Sequence, residues 1–282
     1  NKGYCVSKQA DGKIWMTQNL DLDITGPLTS DNTNLTTTGG AYSDGYSTSG
    51  STITWTPSTN ATTTHTISGT TVSPALSTSD YSSPQYAEPG ERYIYTSGST
   101  SDDTVYDSLS ACTNAHSAEE CAHYHAGNYY SWVAAIASNA PSSYSLNYTT
   151  AANSICPAGW RLPTGGTSGE YNALTTAMGG TGSTGAITLR TYPNNFIFSG
   201  DYNPSTNIPD GRGVQGRIWQ ATAANANNAY RMGYNASSIT PVNTYNKWDN
   251  FSVRCIYQGG NIPFSDVSVS FAGTGITSIT FT

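Results

Sequence analysis

Charge is scarce in this chain. Only 10% of its 282 residues are Asp, Glu, Lys or Arg, against about a quarter in an ordinary globular protein. Basic residues are the rarest: 11 Lys and Arg, scattered along a chain of net charge −7. Phosphate neutralisation needs several cations on one surface, so nucleic acid is excluded as a partner, and so is a polybasic membrane patch. No apolar run approaches the ~20 residues that a bilayer-spanning helix requires, and no transmembrane segment is expected. Cysteine is also sparse, and no two are spaced as Cys-x-x-Cys, which leaves zinc-ribbon and thioredoxin-type chemistry without ligands. Gly-x-Ser-x-Gly elbows, His-Glu-x-x-His helices and phosphate-binding loops are missing too. No nucleophile, base and orienter can be assembled. The chain reads as a binding or structural protein rather than an enzyme, with no catalytic residue to name.

What the chain has in quantity is Ser, Thr, Asn, Gly and aromatic rings, with 20 Tyr and 6 Trp. These rings supply buriable surface that a hydrophobic content of 36% otherwise limits, so the chain is expected to fold. Five cysteines, Cys5, Cys112, Cys121, Cys156 and Cys255, suit a secreted domain with two bridges and one thiol left over. With the Lys-poor, Thr-rich surface they point to an extracellular or cell-surface location. Asn1 in first place reads as a processed product or a trimmed piece.

The order of elements follows from periodicity and turn chemistry. Residues 3–23 carry an Asp11-Gly12 turn between strand-like runs, with Trp15 and Leu20 directed into the core. Residues 24–83 are dominated by Thr, Ser, Gly and Asn. They read as peripheral β hairpins or as a mobile O-glycosylated segment, and regular Gly turns favour the hairpins. Pro89-Gly90 turns into a strand at 92–95. Residues 97–126 read as a loop insertion, in which Cys112 and Cys121 bracket a short acidic loop and can form a local disulfide.

Residues 128–138 place Trp132, Ala135 and Ile136 at helical spacing. After Cys156 a Pro-Ala-Gly turn leads to Trp160 and the step Leu162-Pro163-Thr164. A helix follows, with Ser168 as its N-cap, Tyr171, Leu174 and Met178 on one face, and Gly179-Gly180 as its stop. Residues 187–199, 216–222, 228–233 and 250–257 read as strands. In the last of them Phe251, Val253 and Cys255 share one face and Arg254 takes the other. Residues 259–282 alternate Val267, Val269 and Phe271 before a Gly-Thr-Gly turn, giving a C-terminal hairpin or the start of a further domain.

Five blocks carry a resemblance: GKIWMTQNLDL at 12–22, GNYYSWVAAIA at 127–137, ICPAGWRLPT at 155–164, GRIWQAT at 216–222 and FSVRCI at 251–256. In this order they resemble the Fibrobacter succinogenes major paralogous domain (FISUMP), a family of bacterial surface and secreted proteins. The GWRLPT step and the helix after it are also similar to sulfatase-modifying-type domains, although the paired active-site cysteines of those enzymes have no match here. The resemblance implies an α+β, C-type-lectin-like domain over 1–258, with two helices on a twisted antiparallel sheet. The Thr/Ser-rich β insertion (24–83) and the loop insertion (97–126) lie outside the shared pattern, and 259–282 forms the C-terminal β extension. It further implies a Cys156–Cys255 bridge, which would stabilise the fold by ~4–5 kcal/mol in a chain-entropy treatment. Trp15, Trp132, Trp160, Leu162, Trp219 and Phe251 are the expected scaffold.

Few residues stand out as chemistry. His116, His123 and His125 with Glu119 and Glu120 make a metal-like grouping, for which incidental histidines on a surface loop are the plainer reading. Trp248-Asp249-Asn250 is similar to the Trp-Asn-Asp calcium motif of C-type lectins with acid and amide reversed. It marks Asp249 and Asn250 as metal candidates and Ca2+ as the one cofactor to test. Tyr230, Arg231, Tyr234, Tyr245 and Trp248 gather in the segment that carries ligand contacts in lectin-like folds. Aromatic faces stack on sugars and proteins alike, and Arg adds a planar donor fork; the alternative is that Tyr230 and Trp248 fill the core beneath loops. The expected function is recognition or adhesion, with a glycan or a surface protein of another cell as partner. The alternative is a structural subunit that pairs with copies of itself through exposed strands, including 259–282, in a filament or surface layer.

Overall fold

A computed structural model describes residues 4–21, 46–49, 52–55, 65–68, 86–87, 92–96, 103–136, 151, 154–156, 160–203, 208–259, 267–272 and 275–281. In chain order the elements are β1 (Val6–Lys8), β2 (Ile14–Met16), β3 (Tyr46–Ser49), β4 (Thr52–Trp55), β5 (His65–Ser68), β6 (Tyr86–Ala87), β7 (Tyr93–Tyr95) and β8 (Thr104–Tyr106). Helices α1 (Leu109–Thr113) and α2 (Ala118–Tyr124) follow, then β9 (Tyr129–Tyr130), α3 (Trp132–Ala135), β10 (Trp160–Arg161), α4 (Glu170–Ala177) and α5 (Ser183–Arg190). The chain continues with β11 (Asp201–Asn203), β12 (Ile208–Asp210), β13 (Gln215–Ala223), β14 (Asn228–Asn235), β15 (Ile239–Asn246) and β16 (Ile256–Tyr257). It closes on β17 (Val267–Ala272) and β18 (Gly275–Phe281). The fold is α+β, and the paired strands run antiparallel. Among the described residues no helix is long and apolar enough to cross a membrane.

Two sheets position everything else. The Asp11-Gly12 turn closes the β1–β2 hairpin, and β16 and β10 extend it in the order β1-β2-β16-β10. The second sheet is β13-β14-β15. Between them runs the segment 250–255, held by short-range bonds on several sides: Phe251 exchanges both backbone hydrogen bonds with Tyr130 at 2.9 Å, Trp219 N donates to Ser252 O, and Leu20 N donates to Val253 O at 2.7 Å. Successive strand residues face opposite ways. Trp219 and Ala229 therefore enter one apolar cluster with Trp132, Phe251 and Val253, while Ile218 and Met232 enter another with Trp15, Tyr171, Leu174 and Phe196. The buried indoles keep their polar handles satisfied: Trp219 Nε1 donates to Tyr130 O and Trp132 Nε1 to Gln220 O, both at 2.8 Å. Cys156 is bonded to Cys255 and Cys112 to Cys121, leaving Cys5 as the free, half-buried thiol.

One buried cation knits the ends of the chain together. Arg254 lies in the strand-like segment with no exposure to solvent. Its guanidinium donates to Asn194 O at 2.8 Å, Asn195 O at 2.9 Å and, from two nitrogens, to Asn19 Oδ1 at 3.1 and 3.3 Å. It also lies 4.0 Å from the centre of the Phe196 ring. The carbonyl oxygens replace the water that burial removed.

Several expectations need correction. Residues 97–126 are not a loop where described: β8, α1 and α2 occupy them, and the Cys112–Cys121 bond staples two short helices. The helix expected at 128–138 shrinks to α3, because Tyr129 and Tyr130 pair with β6 instead. Part of the strand expected at 187–199 is α5, and Phe196–Phe198 is buried outside any strand. Helix α4 is capped by Gly169 rather than Ser168, with no side-chain cap. The Glu170 carboxylate instead accepts from Thr164 N and Oγ1 and from Arg161 Nη2, all at 2.5 Å. Five helical segments stand where two were expected.

Trp160 is only half-buried, since β10 is an edge strand; its ring rests 5.4 Å from Tyr257. Trp15, Trp132, Leu162, Trp219 and Phe251 are buried. The 24–83 segment contributes the three-stranded β3-β4-β5 sheet, and β17 pairs with β18 from Val267↔Phe281 onward. The Pro-Ala-Gly turn at 157–159, the Pro89-Gly90 turn and the remainder of 24–83 lie outside the described residues.

Candidate functional site

The ligand candidates do not form one cluster, and strand geometry explains why. Tyr230 to Tyr245 is not loop-rich: it is the β14–β15 pair, joined at Tyr230↔Thr244 and Ala229↔Tyr245. Alternation puts Tyr230 and Arg231 on opposite faces. Tyr230 packs half-buried over the turn after Thr164, where a Cβ at Gly165 would fall 2.7 Å from the Tyr230 Cβ. Tyr234 is a core residue rather than a surface contact; its hydroxyl donates to Ile197 O at 2.6 Å and its ring meets Phe196 and Phe198. Trp248 is half-buried in the turn after β15.

The other face of the same sheet gathers the charges. Arg217 of β13, Arg231 of β14 and Tyr245 of β15 meet there, with Phe251 beneath and Asp201 and Asp249 alongside. Arg217 Nη1 donates to Asp201 Oδ2 at 2.6 Å. Both guanidinium groups lean on the same two rings: Arg217 lies 5.5 Å from Tyr245 and 5.8 Å from Phe251, Arg231 5.3 and 5.7 Å. Gly233 makes room for this arrangement, since a Cβ there would come within 2.2 Å of Arg231 Nη1. Tyr245 is the outward member of the group at 36% exposure, whereas Arg231 and Asp201 keep only 8% and 4%.

Hydrogen bonding at this face is incomplete. Neither Arg231 Nε nor Asp201 Oδ1 has a partner among the described residues. An unsatisfied buried polar group costs about 1–3 kcal/mol, so a fold retains one at the expense of its own stability. Burial drives the titration of the whole group. It raises Asp201 to about 6, with Arg217 opposing and Asp210 assisting, and it raises Asp249 to about 6, with repulsion from Asp201 assisting. Burial, and after it the Arg217 charge, lowers Arg231 to about 10. Both arginines oppose the rise at Asp249, so the four groups sense one another as a balanced set of two cations and two anions.

The metal candidates look different in three dimensions. Among the described residues no group of three or more His, Cys, Asp and Glu side chains is placed to hold a metal ion. The charges of Arg217 and Arg231 lower the Asp249 carboxyl, but burial and repulsion from Asp201 outweigh them. Asn250 is buried in the seam, bonded through its backbone to Tyr202. The histidines are not on a strand face but on and around α2. His116 rests 4.2 Å from Tyr95 and bonds the Tyr106 hydroxyl, His123 meets Thr17, and His125 faces Asp21 at 3.6 Å.

Sequence reasoning named Arg231, Tyr245 and Asp249 but missed Asp201, Arg217 and Gly233. The Gly216-Arg217-Ile218-Trp219 alternation carried the Arg217 signal, because an arginine two places from a buried Trp in a strand must share its face. No protein-family model, curated protein or solved structure matches the chain.

Proposed function

We propose that this chain is an extracellular recognition or adhesion module, related to FISUMP domains and C-type-lectin-like in fold, which holds a glycan or surface protein at the Arg231–Tyr245 face and performs no catalysis. The observation that carries the reading is the exposed Tyr245 ring set 5.3 Å from a buried guanidinium whose Nε is unsatisfied. Recognition sites commonly combine an apolar stacking surface with polar groups left open until a ligand completes them. Two disulfides are compatible with an oxidising, extracellular setting.

Fluorescent beads coated with the chain test the proposal against intact cells and a glycan array. Retention on either, reduced by Tyr245→Ala, supports recognition at this face; beads that pass both unretained overturn it. A second reading rests on a different observation. The strands β17 and β18 pair only with each other among the described strands, which leaves two outer edges for copies of the chain to extend. Light scattering with and without residues 260–282 decides this, and a monomer in both forms rejects assembly.

A further inference from the structure

We propose that Asn235, at the turn between β14 and β15, is a modification site that carries an N-linked saccharide. It depends on the extracellular setting proposed above and on nothing at the Arg231–Tyr245 face. Attachment needs an Asn followed two places on by Ser or Thr, with no Pro between them, on a surface that the finished fold leaves open. Two such triplets fall within the described residues, Asn235-Ala236-Ser237 and Asn250-Phe251-Ser252. Those beginning at Asn34, Asn60 and Asn147 are not wholly described.

Burial separates the two. Asn250, Phe251 and Ser252 have no exposure, and Asn250 exchanges backbone hydrogen bonds with Tyr202 at 3.0 and 3.3 Å. A saccharide there would hold the seam open. Asn235 and Ser237 are exposed, while Ala236 between them packs against the apolar cluster of Trp15 and Phe196 and fixes the turn. Asn235 Oδ1 accepts from Ser237 N and Ser238 N, both at 2.9 Å, and from their hydroxyls at 3.3 and 3.1 Å. The turn thus uses the carbonyl half of the amide and leaves Nδ2, the atom that takes the sugar, outside its bonding. The Ser237 hydroxyl that the triplet requires already bonds the amide to be modified. Tyr245 lies six positions along β15 from Ile239, about 20 Å of strand, so the saccharide is attached away from the recognition face.

The donor class is a lipid-linked oligosaccharide pyrophosphate. Asn235 Nδ2 attacks C1 of the first sugar, and the N–C1 bond forms as the C1–O bond to pyrophosphate breaks. The lipid pyrophosphate leaves with the electron pair, and a carboxylate of the transferase takes the amide proton.

Mass spectrometry of the full chain, isolated from fractionated source cells, tests the site. Trypsin separates the two triplets, because Asn235 falls in the peptide 232–247 and Asn250 in 248–254. The expected result is a saccharide mass on 232–247, none on 248–254, and conversion of Asn235 to 18O-labelled Asp by a peptide amidase in heavy-oxygen water. Asn235→Asp keeps the turn's oxygen but has no amide, and Ser237→Ala keeps the amide but has no hydroxyl. Each, made in the same cells, should lose the added mass, and Ser237→Thr should retain it. Added mass that survives Asn235→Asp belongs to a Ser or Thr and overturns the inference, as does a saccharide on Asn250. A chain found outside the cell with 232–247 unmodified rejects this site and leaves the extracellular reading standing; a chain confined to the cytoplasm rejects both.

Discussion

Arg254 and Arg231 are both buried, yet they have been treated in opposite ways by the fold around them. Arg254 is solvated by protein, with bonds to Asn19, Asn194 and Asn195 and a ring beneath it. Arg231 rests on two rings while its Nε has no partner among the described residues. A cation whose three nitrogens are each bonded to protein has finished its work inside the molecule. One with an open donor beside an exposed tyrosine is, on the proposed reading, the group that a ligand would complete. The difference separates scaffold from site more sharply than burial does, since burial is nearly the same in both.

The largest effect should come from cutting the scaffold strand loose. Cys156 and Cys255 are 99 residues apart, so replacing both with Ser is expected to cost ~4–5 kcal/mol in urea melts; a loss under ~1 kcal/mol would remove that strand from the scaffold. Arg254→Met should cost about 3 kcal/mol, because it orphans three buried acceptors, and a variant of native stability would erase the contrast with Arg231.

Glu170→Gln comes next, on the order of 2 kcal/mol at neutral pH. Burial acts to raise the Glu170 carboxyl, but bonds from Arg161 and Thr164 outweigh it and hold the group down at about 2. That stability is present above the ordinary glutamate pKa and is lost as pH falls towards about 2, so the gap between variant and parent should close in acid. The site has the reverse sign: Asp201 and Asp249 are raised to about 6, their contribution is complete below the ordinary aspartate pKa, and it is lost as pH rises through about 6. The smallest change belongs to Arg231→Met, expected within ~1 kcal/mol of the parent, since a cation whose Nε lacks a partner gives way to an apolar chain of similar length. A loss of ~3 kcal/mol would make Arg231 a structural anchor like Arg254.

How much of this was legible depended on whether the signal was local. The Asp11-Gly12 hairpin, the Tyr171–Leu174–Met178 face and β13 are written in turn chemistry and periodicity, and the structure contains each. The second half of helix α5, Ile-Thr-Leu-Arg at 187–190, reads as strand because of its β-branched residues; tertiary packing of Ala186 and Leu189 overrides that preference. Strand β15 was hidden by Pro241, which sits where the register with β14 shifts and no ladder bond is required of it. The α2 helix was missed inside a segment read as a loop, although Ser117 and Glu120 form a capping box that the spacing S-x-x-E encodes. The site was only half legible. Tyr245 and Arg231 stand out by type, but their union with Asp201 and Arg217 depends on pairing across three strands.

The seam at 250–257 also sets a timetable for making the protein. Asn19 and Arg254 bond across 235 positions, and the N-terminal hairpin completes its sheet only with β16. A ribosome releases the first strand long before the last, so the early indoles have no home until nearly the whole domain has been synthesised. Such long-range closure folds slowly. The nascent chain must therefore stay soluble while open, and a surface of Thr, Ser and Asn serves that interval as well as it serves the finished molecule.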